Sequence, residues 1–127
     1  MVRKLAMAVA CVAALITQAA LAQDAVKVAP GINTVLVDNS KVRVIRSSFA
    51  PGASEGTHTH PAGWYIVTKP GTLRVTTADG KVEEWKATAG EQAWIDGEGA
   101  HKAENIGEST LEYVFVEVKG ASAFKPN

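Results

Sequence analysis

The stretch Gly52-Ala53-Ser54-Glu55-Gly56-Thr57-His58-Thr59-His60-Pro61 carries two of the three histidines in this 127-residue chain. His58 and His60 are two residues apart, in a segment that reads as extended. Side chains at i and i+2 of a strand point to one face, so the segment aims two imidazoles at one spot. The third histidine, His101, follows about forty residues later. The question set by the sequence is whether the fold returns it to the same place.

Outward from this stretch the chain is a succession of short β-type runs separated by turn chemistry. Upstream lie Thr34–Asp38, the turn Asn39-Ser40, and Val42–Phe49 with Val42, Val44 and Arg46 on one face; Pro51-Gly52 then turns the chain. Downstream come Trp64–Thr68, Leu73–Thr77, Val82–Lys86, Gln92–Ile95, a strand from Ala100 to Ile106 with His101, and Leu111–Val118. Ala78-Asp79-Gly80 between two alternating runs predicts a hairpin, because Asp-Gly supplies the positive φ that a tight turn needs. Leu111–Val118 is the longest and most apolar of these strands and is expected at the centre of a sheet. No window after the first 22 residues has sustained 3.6-residue periodicity, so no substantial helix is expected. Seven to nine short strands at this spacing predict an all-β sandwich or barrel.

The ends read differently. Arg3 and Lys4 precede an apolar run to Ile16, and Ala20-Leu21-Ala22 has the small-x-small pattern of a signal-peptidase site. Residues 1–22 are therefore expected to be a secretory signal peptide, residues 23–33 an N-terminal arm, 34–120 the domain and 121–127 a flexible tail. Removal of the leader takes Arg3, Lys4, both methionines and the only cysteine, Cys11. It leaves 11 basic against 13 acidic residues, a net charge of −2. That balance argues against nucleic acid and against an acidic membrane surface. Without cysteine there is no disulfide and no cysteine nucleophile; stability must come from packing, with 46% apolar residues available. The expected location is periplasmic or secreted.

These motifs resemble the cupin superfamily. Its first motif, Gly, five residues, His-x-His, an acidic residue three or four positions on, then Gly, is met here by Gly52, His58, His60 and Gly71, with Trp64 or Tyr65 in the acidic position. Its second motif is met by Gly90, His101 and Asn105, with Asp96 and Glu98 replacing the usual Pro and Gly. Small single-domain cupins also share Asn39-Ser40-Lys41-Val42-Arg43-Val44, Asp79-Gly80-Lys81 and Asn105-Ile106-Gly107-Glu108. The resemblance implies a double-stranded β-helix, the cupin jelly-roll barrel, with His58, His60 and His101 holding a divalent metal ion (Fe, Mn, Ni or Zn) inside it. It also implies a homodimer, and a small-molecule ligand or substrate as partner.

Three protein ligands with an open position are the pattern of a reactive metal site. Trp64 shares the parity of His58 and His60 and is expected to point inward. There an indole replaces a carboxylate, removing both a ligand and the nearest candidate general base; an anionic ligand could supply the missing charge. Trp64, Trp94 and Phe115 are expected to line the ligand pocket or to fill the core. Trp85 reads as core or as a dimer contact, Glu55 and Glu98 as solvated loop charges at the barrel mouth, and Glu104, Glu112 and Glu117 as outward strand charges. Three functions stay open: a small-molecule oxygenase or isomerase, a non-catalytic metal- or ligand-binding cupin, and a structural cupin without metal.

Overall fold

The structure is a computed structural model that describes residues 23–120; the expected signal peptide and tail lie outside the described residues. A short helix α1 (Ala25–Val28) precedes nine strands: β1 (Asn33–Asp38), β2 (Val42–Phe49), β3 (Ser54–His60), β4 (Gly63–Lys69), β5 (Gly71–Thr77), β6 (Val82–Ala87), β7 (Gln92–Ile95), β8 (Glu98–Asn105) and β9 (Leu111–Val118). They form two antiparallel sheets, ordered β1-β2-β9-β4-β7 and β3-β8-β5-β6. The expected all-β architecture holds, and β9 lies at the centre of the five-stranded sheet. Gly80 closes the β5–β6 hairpin with φ of +87°, the backbone region that favours glycine.

Between the sheets lie Phe49, Val67, Leu73, Leu111, Tyr113 and Phe115, all buried. Phe49 stacks against Tyr113 with ring centroids 6.3 Å apart. Each large apolar side chain so placed contributes about 1.5–3 kcal/mol. On β2 the fully buried positions are Ile45, Ser47 and Phe49, opposite in parity to the Val42, Val44 and Arg46 face. The ladder to β9 sets this: Ile45 pairs with Phe115 and Ser47 with Tyr113, and both partners face inward.

Asn105, matched by sequence to the second motif, acts as a loop clamp. Its Nδ2 donates to the carbonyls of Phe49 and Ser109, and its Oδ1 accepts from Gly107 N.

Glu117 corrects an expectation. The odd positions of β9 are buried, so Glu117 faces inward while Glu112 stays partly exposed on the other side. The inward carboxylate is matched by Arg43, whose Nε and Nη2 donate to it at 2.5 and 2.9 Å. Arg43 also reaches Asp24 at 2.6 and 3.1 Å. This holds the Asp24 carboxyl below its usual range and raises the guanidinium further, the carboxylate hydrogen bonds leading in both cases. Asp24 caps α1 through Val26 N and bridges to Thr59 beside the histidines. The arm is thus pinned to the barrel rather than loosely draped.

Candidate metal centre

β3 and β8 lie side by side in the four-stranded sheet, with His58 directly opposite His101. His60 follows on β3, and the three rings converge. Their centroids are 4.7 Å apart for His58–His60, 4.4 Å for His58–His101 and 5.3 Å for His60–His101. One ring nitrogen from each lies within 4.8 Å of the other two.

The backbone sets which nitrogens are free. His58 Nδ1 and His101 Nδ1 each donate to a carbonyl two residues earlier, Gly56 and Gly99, at 2.7 Å. A carbonyl only accepts, so each Nδ1 carries the proton and each Nε2 keeps its lone pair. His58 Nε2 and His60 Nε2 are 3.1 Å apart. Ligand atoms of a tetrahedral shell with bonds of about 2.1 Å stand roughly 3.4 Å apart. Burial pushes His60 down to about 3 and also lowers His58, the neighbouring rings adding to both. His58 and His60 are therefore held neutral. Buried and close-set imidazoles with free ring nitrogens fit a divalent metal.

Glu55 is the residue that sequence reasoning misplaced. It is 1% exposed, not a solvated loop charge. Oε1 accepts from Asn33 Nδ2, while Oε2 has no hydrogen-bond partner among the described residues and stands 3.3 Å from His58 Nε2. Burial pushes its carboxyl up to about 7, only partly offset by Asn33. Strict alternation would turn Glu55 away from His58. A register shift between the two, at Gly56-Thr57, restores it to the inner face. The glycine inside the strand was the available signal.

The histidines stand in a cavity of about 920 Å³. Its apolar wall includes Leu73, Val75, Tyr65, Trp85, Tyr113 and Phe115. Phe115 sets its edge against His60, centroids 5.3 Å apart. Trp85, expected as core or a dimer contact, packs edge-on between Tyr65 and Tyr113. Its Nε1 and the Tyr65 hydroxyl both donate to Glu91, which does not line the cavity. The aromatic bodies are therefore presented to the cavity while their polar tips are engaged elsewhere. Glu98 lines the rim, half exposed, with Oε2 3.4 Å from His101 Nε2.

Trp64 and Trp94 are corrected. Both are 41% exposed and neither lines the cavity. Parity does not carry from His60 to Trp64, because Pro61-Ala62 ends β3 and the chain enters the other sheet. There Gly63, Tyr65 and Val67 face inward. Trp94 sits opposite Trp64 in the ladder, and its Nε1 donates to Asp96 at 2.9 Å.

Comparison with known proteins bears on the fold and the family. A cupin domain from Bordetella pertussis Tohama I is 27% identical, covering 70% of this chain and 93% of that one, with a TM-score of 0.65. A double-stranded β-helix protein from Klebsiella pneumoniae is 24% identical over 74% of this chain and 81% of its own, TM-score 0.55. An RmlC-like cupin from Methanocaldococcus jannaschii is 19% identical over 68% and 78%, TM-score 0.54; these last two share the fold alone. No curated protein matches the sequence. The profile of the cupin domain family matches residues 45–117, from the second strand through the last and across all three histidines, and the chain belongs to that family.

Proposed function

We propose that the cavity is a metal-dependent small-molecule site in which His58, His60 and His101 hold one divalent ion, Fe, Mn, Ni or Zn. The observation that carries this reading is the convergence of three imidazole nitrogens at the wall of a large cavity. A divalent ion there would supply a Lewis acid with positions open toward the ligand. The chain's own groups do the rest. Gly56 and Gly99 fix the His58 and His101 tautomers. Tyr65, Trp85, Tyr113 and Phe115 enclose a flat apolar body and exclude water. Glu55 is the buried acid beside the imidazoles, able to hold or accept a proton at Oε2. The reaction class this supports is oxygenase or isomerase chemistry on a small molecule.

The cavity rim favours a neutral or cationic body over the anionic one suggested by the missing acidic ligand. Asp79, Glu83, Glu84 and Glu98 line it, against Lys81 alone, which pairs with Glu83 at 2.6 Å. A binding protein without turnover is the second reading, favoured by the absence of any carboxylate from β4 beside the histidines. The leader pattern of residues 1–22 supports a periplasmic or secreted location.

Metal analysis of the purified protein, beside His101→Ala, tests the first reading. One ion per chain in the wild type and loss of it in the variant are expected; a metal-free wild type that takes up none of the four ions sinks it. Oxygen consumption and product analysis over a panel of aromatic small molecules then separate enzyme from binder. Mass determination of the exported chain, expected to begin at Gln23, checks the leader.

A further inference from the structure

Among the described residues the buried carboxylates are Glu55 and Glu117, at 1% and 5% exposure. The fold supplies a cation to one of them: Arg43 holds Glu117 through Nε and Nη2. Glu55 meets the uncharged amide of Asn33 at Oε1, and its Oε2 has no hydrogen-bond partner among the described residues. Buried charges are paired or coordinate metals, so Oε2 marks the place of a missing cation.

Oε2 is aimed at the imidazoles. It stands 3.3 Å from His58 Nε2, whose lone pair is free because Nδ1 donates to the Gly56 carbonyl. That is longer than the about 2.5–3.0 Å of a hydrogen bond from a carboxyl O–H. It is the spacing of two ligands on one ion. With bonds of about 2.1 Å, neighbouring ligands stand roughly 3.0 Å apart in an octahedral shell and roughly 3.4 Å in a tetrahedral one. The His58–His60 separation of 3.1 Å falls in the same interval.

We infer that Glu55 is a fourth ligand of the proposed ion, binding through Oε2 beside His58, His60 and His101; the inference rests on that three-histidine reading. The ligand comes from β3 itself, ahead of the histidines, whereas the acidic position after them holds the outward Trp64. The bulge at Gly56-Thr57 serves both groups. It turns Glu55 inward, and the Gly56 carbonyl orients His58. Asn33 anchors the other carboxylate oxygen. Its own amide is fixed by Ser47 Oγ, which donates to Oδ1 at 2.7 Å, and by the Ala25 carbonyl, which accepts from Nδ2 at 3.0 Å. A carboxylate held in this way presents Oε2 ready to bind. Imidazole ligands are uncharged, so Glu55 cancels one of the ion's two charges in a buried site. Without the ion Oε2 holds a proton; the ion displaces that proton to solvent.

Glu98 is the competing acid, with Oε2 3.4 Å from His101 Nε2. Its side chain is 49% exposed and open to water, whereas Glu55 is enclosed and anchored.

Crystals of the chain as purified, loaded with Zn(II), test the inference, the ion being located by its anomalous scattering. Glu55 Oε2 is expected within about 2.2 Å of the ion, and a separation above about 3 Å overturns the inference. In solution, chelator competition reads Zn(II) affinity, with circular dichroism as the fold control. Glu55→Ala is expected to bind Zn(II) more than about 100-fold more weakly than wild type, and Glu98→Gln as tightly as wild type. A smaller loss in Glu55→Ala, within the roughly 10–100-fold of an outer-shell change, overturns the inference. So does a loss confined to Glu98→Gln, which gives the position to Glu98. Zn(II) found on the three histidines with Glu55 remote from it overturns the fourth ligand alone; a wild type that takes up no ion overturns the three-histidine reading as well.

Discussion

β3 and β4 are consecutive seven-residue strands separated by Pro61 and Ala62, and they use the same alternation in opposite ways. On β3 the even residues His58 and His60 face the interior. On β4 the even residues Trp64 and Ile66 face outward, and Gly63, Tyr65 and Val67 take the inner side. The strands belong to different sheets. Alternation is a property of one strand, and a two-residue link between sheets resets it. Gly63 shows how tightly the inner side is set: a Cβ there would lie 2.2 Å from the Val116 carbonyl. The same reset that denies the cavity a fourth ligand from β4 gives the outer face its tryptophans.

The largest expected contrast is in stability. Phe49→Ala removes a fully buried ring stacked on Tyr113 and should cost about 3–5 kcal/mol. Trp64→Ala, on the outward side, should stay within about 0.5 kcal/mol in the dilute monomer. Urea unfolding of both variants checks this. A Trp64→Ala cost as large as that of Phe49→Ala would place the indole in the core.

Metal retention should divide inward from outward positions in the same sense. His101→Ala removes one of three donors and should weaken binding by more than about 100-fold, beyond the 10–100-fold of an outer-shell change. Trp64→Ala should leave affinity unchanged. Competition with a chromophoric chelator reads both. Equal affinities for wild type and His101→Ala would remove His101 from the ligand set.

Much of this comparison was legible in the residues. The strands, the Asp79-Gly80 hairpin and the order of the motifs follow from local turn chemistry and alternation, which operate within a few residues. His58 and His60 follow from period two, and His101 from the family spacing that brings β8 beside β3. What alternation could not supply was its own interruption. The bulge at Gly56-Thr57 turns Glu55 inward, and the Pro61-Ala62 crossing turns Trp64 outward. Both depend on how strands register against neighbours far along the chain. Glu117 could have been read: it lies an odd number of residues from Glu112, so the two cannot both face solvent on one strand.

Arg43 lies on the inner side and holds a buried carboxylate, so the next effect is structural. Arg43→Met keeps the stem and removes the partner of Glu117, whose side chain is 7% exposed. Because the Arg43 side chain is itself 19% exposed, the cost should fall below the 3–5 kcal/mol of a fully buried pair, at about 2 kcal/mol. Freed from Arg43, the arm should also release, and amide exchange at Val26 and Thr59 should rise. Unchanged protection there would mean that the backbone contacts alone fix the arm.

The smallest expected effect is one of slope, and it isolates Glu55. Its carboxyl ionises at about 7 in the fold against 4.5 ordinarily. Below about 4.5 it is protonated folded or unfolded. As pH rises from 4.5 toward 7 the unfolded chain releases this proton and the folded chain keeps it, so stability falls; above about 7 the loss is complete. His58 and His60 act oppositely, since burial lowers both from 6.5. Their contribution is full above 6.5 and is lost as pH falls toward the folded value, about 3 for His60. The two windows overlap, so from pH 4.5 to 6.5 the histidine gain offsets the Glu55 loss, and chelator-treated wild type should decline in stability only from 6.5 toward 7. Glu55→Gln keeps the amide size and the hydrogen bond to Asn33 but has no proton to release. Its stability should rise with pH to a plateau above 6.5, without the decline toward 7. Urea midpoints from pH 4.5 to 8 compare the curves. Superimposable curves would mean that Glu55 is not held protonated beside His58, and would remove the one acid that the bulge places in the cavity.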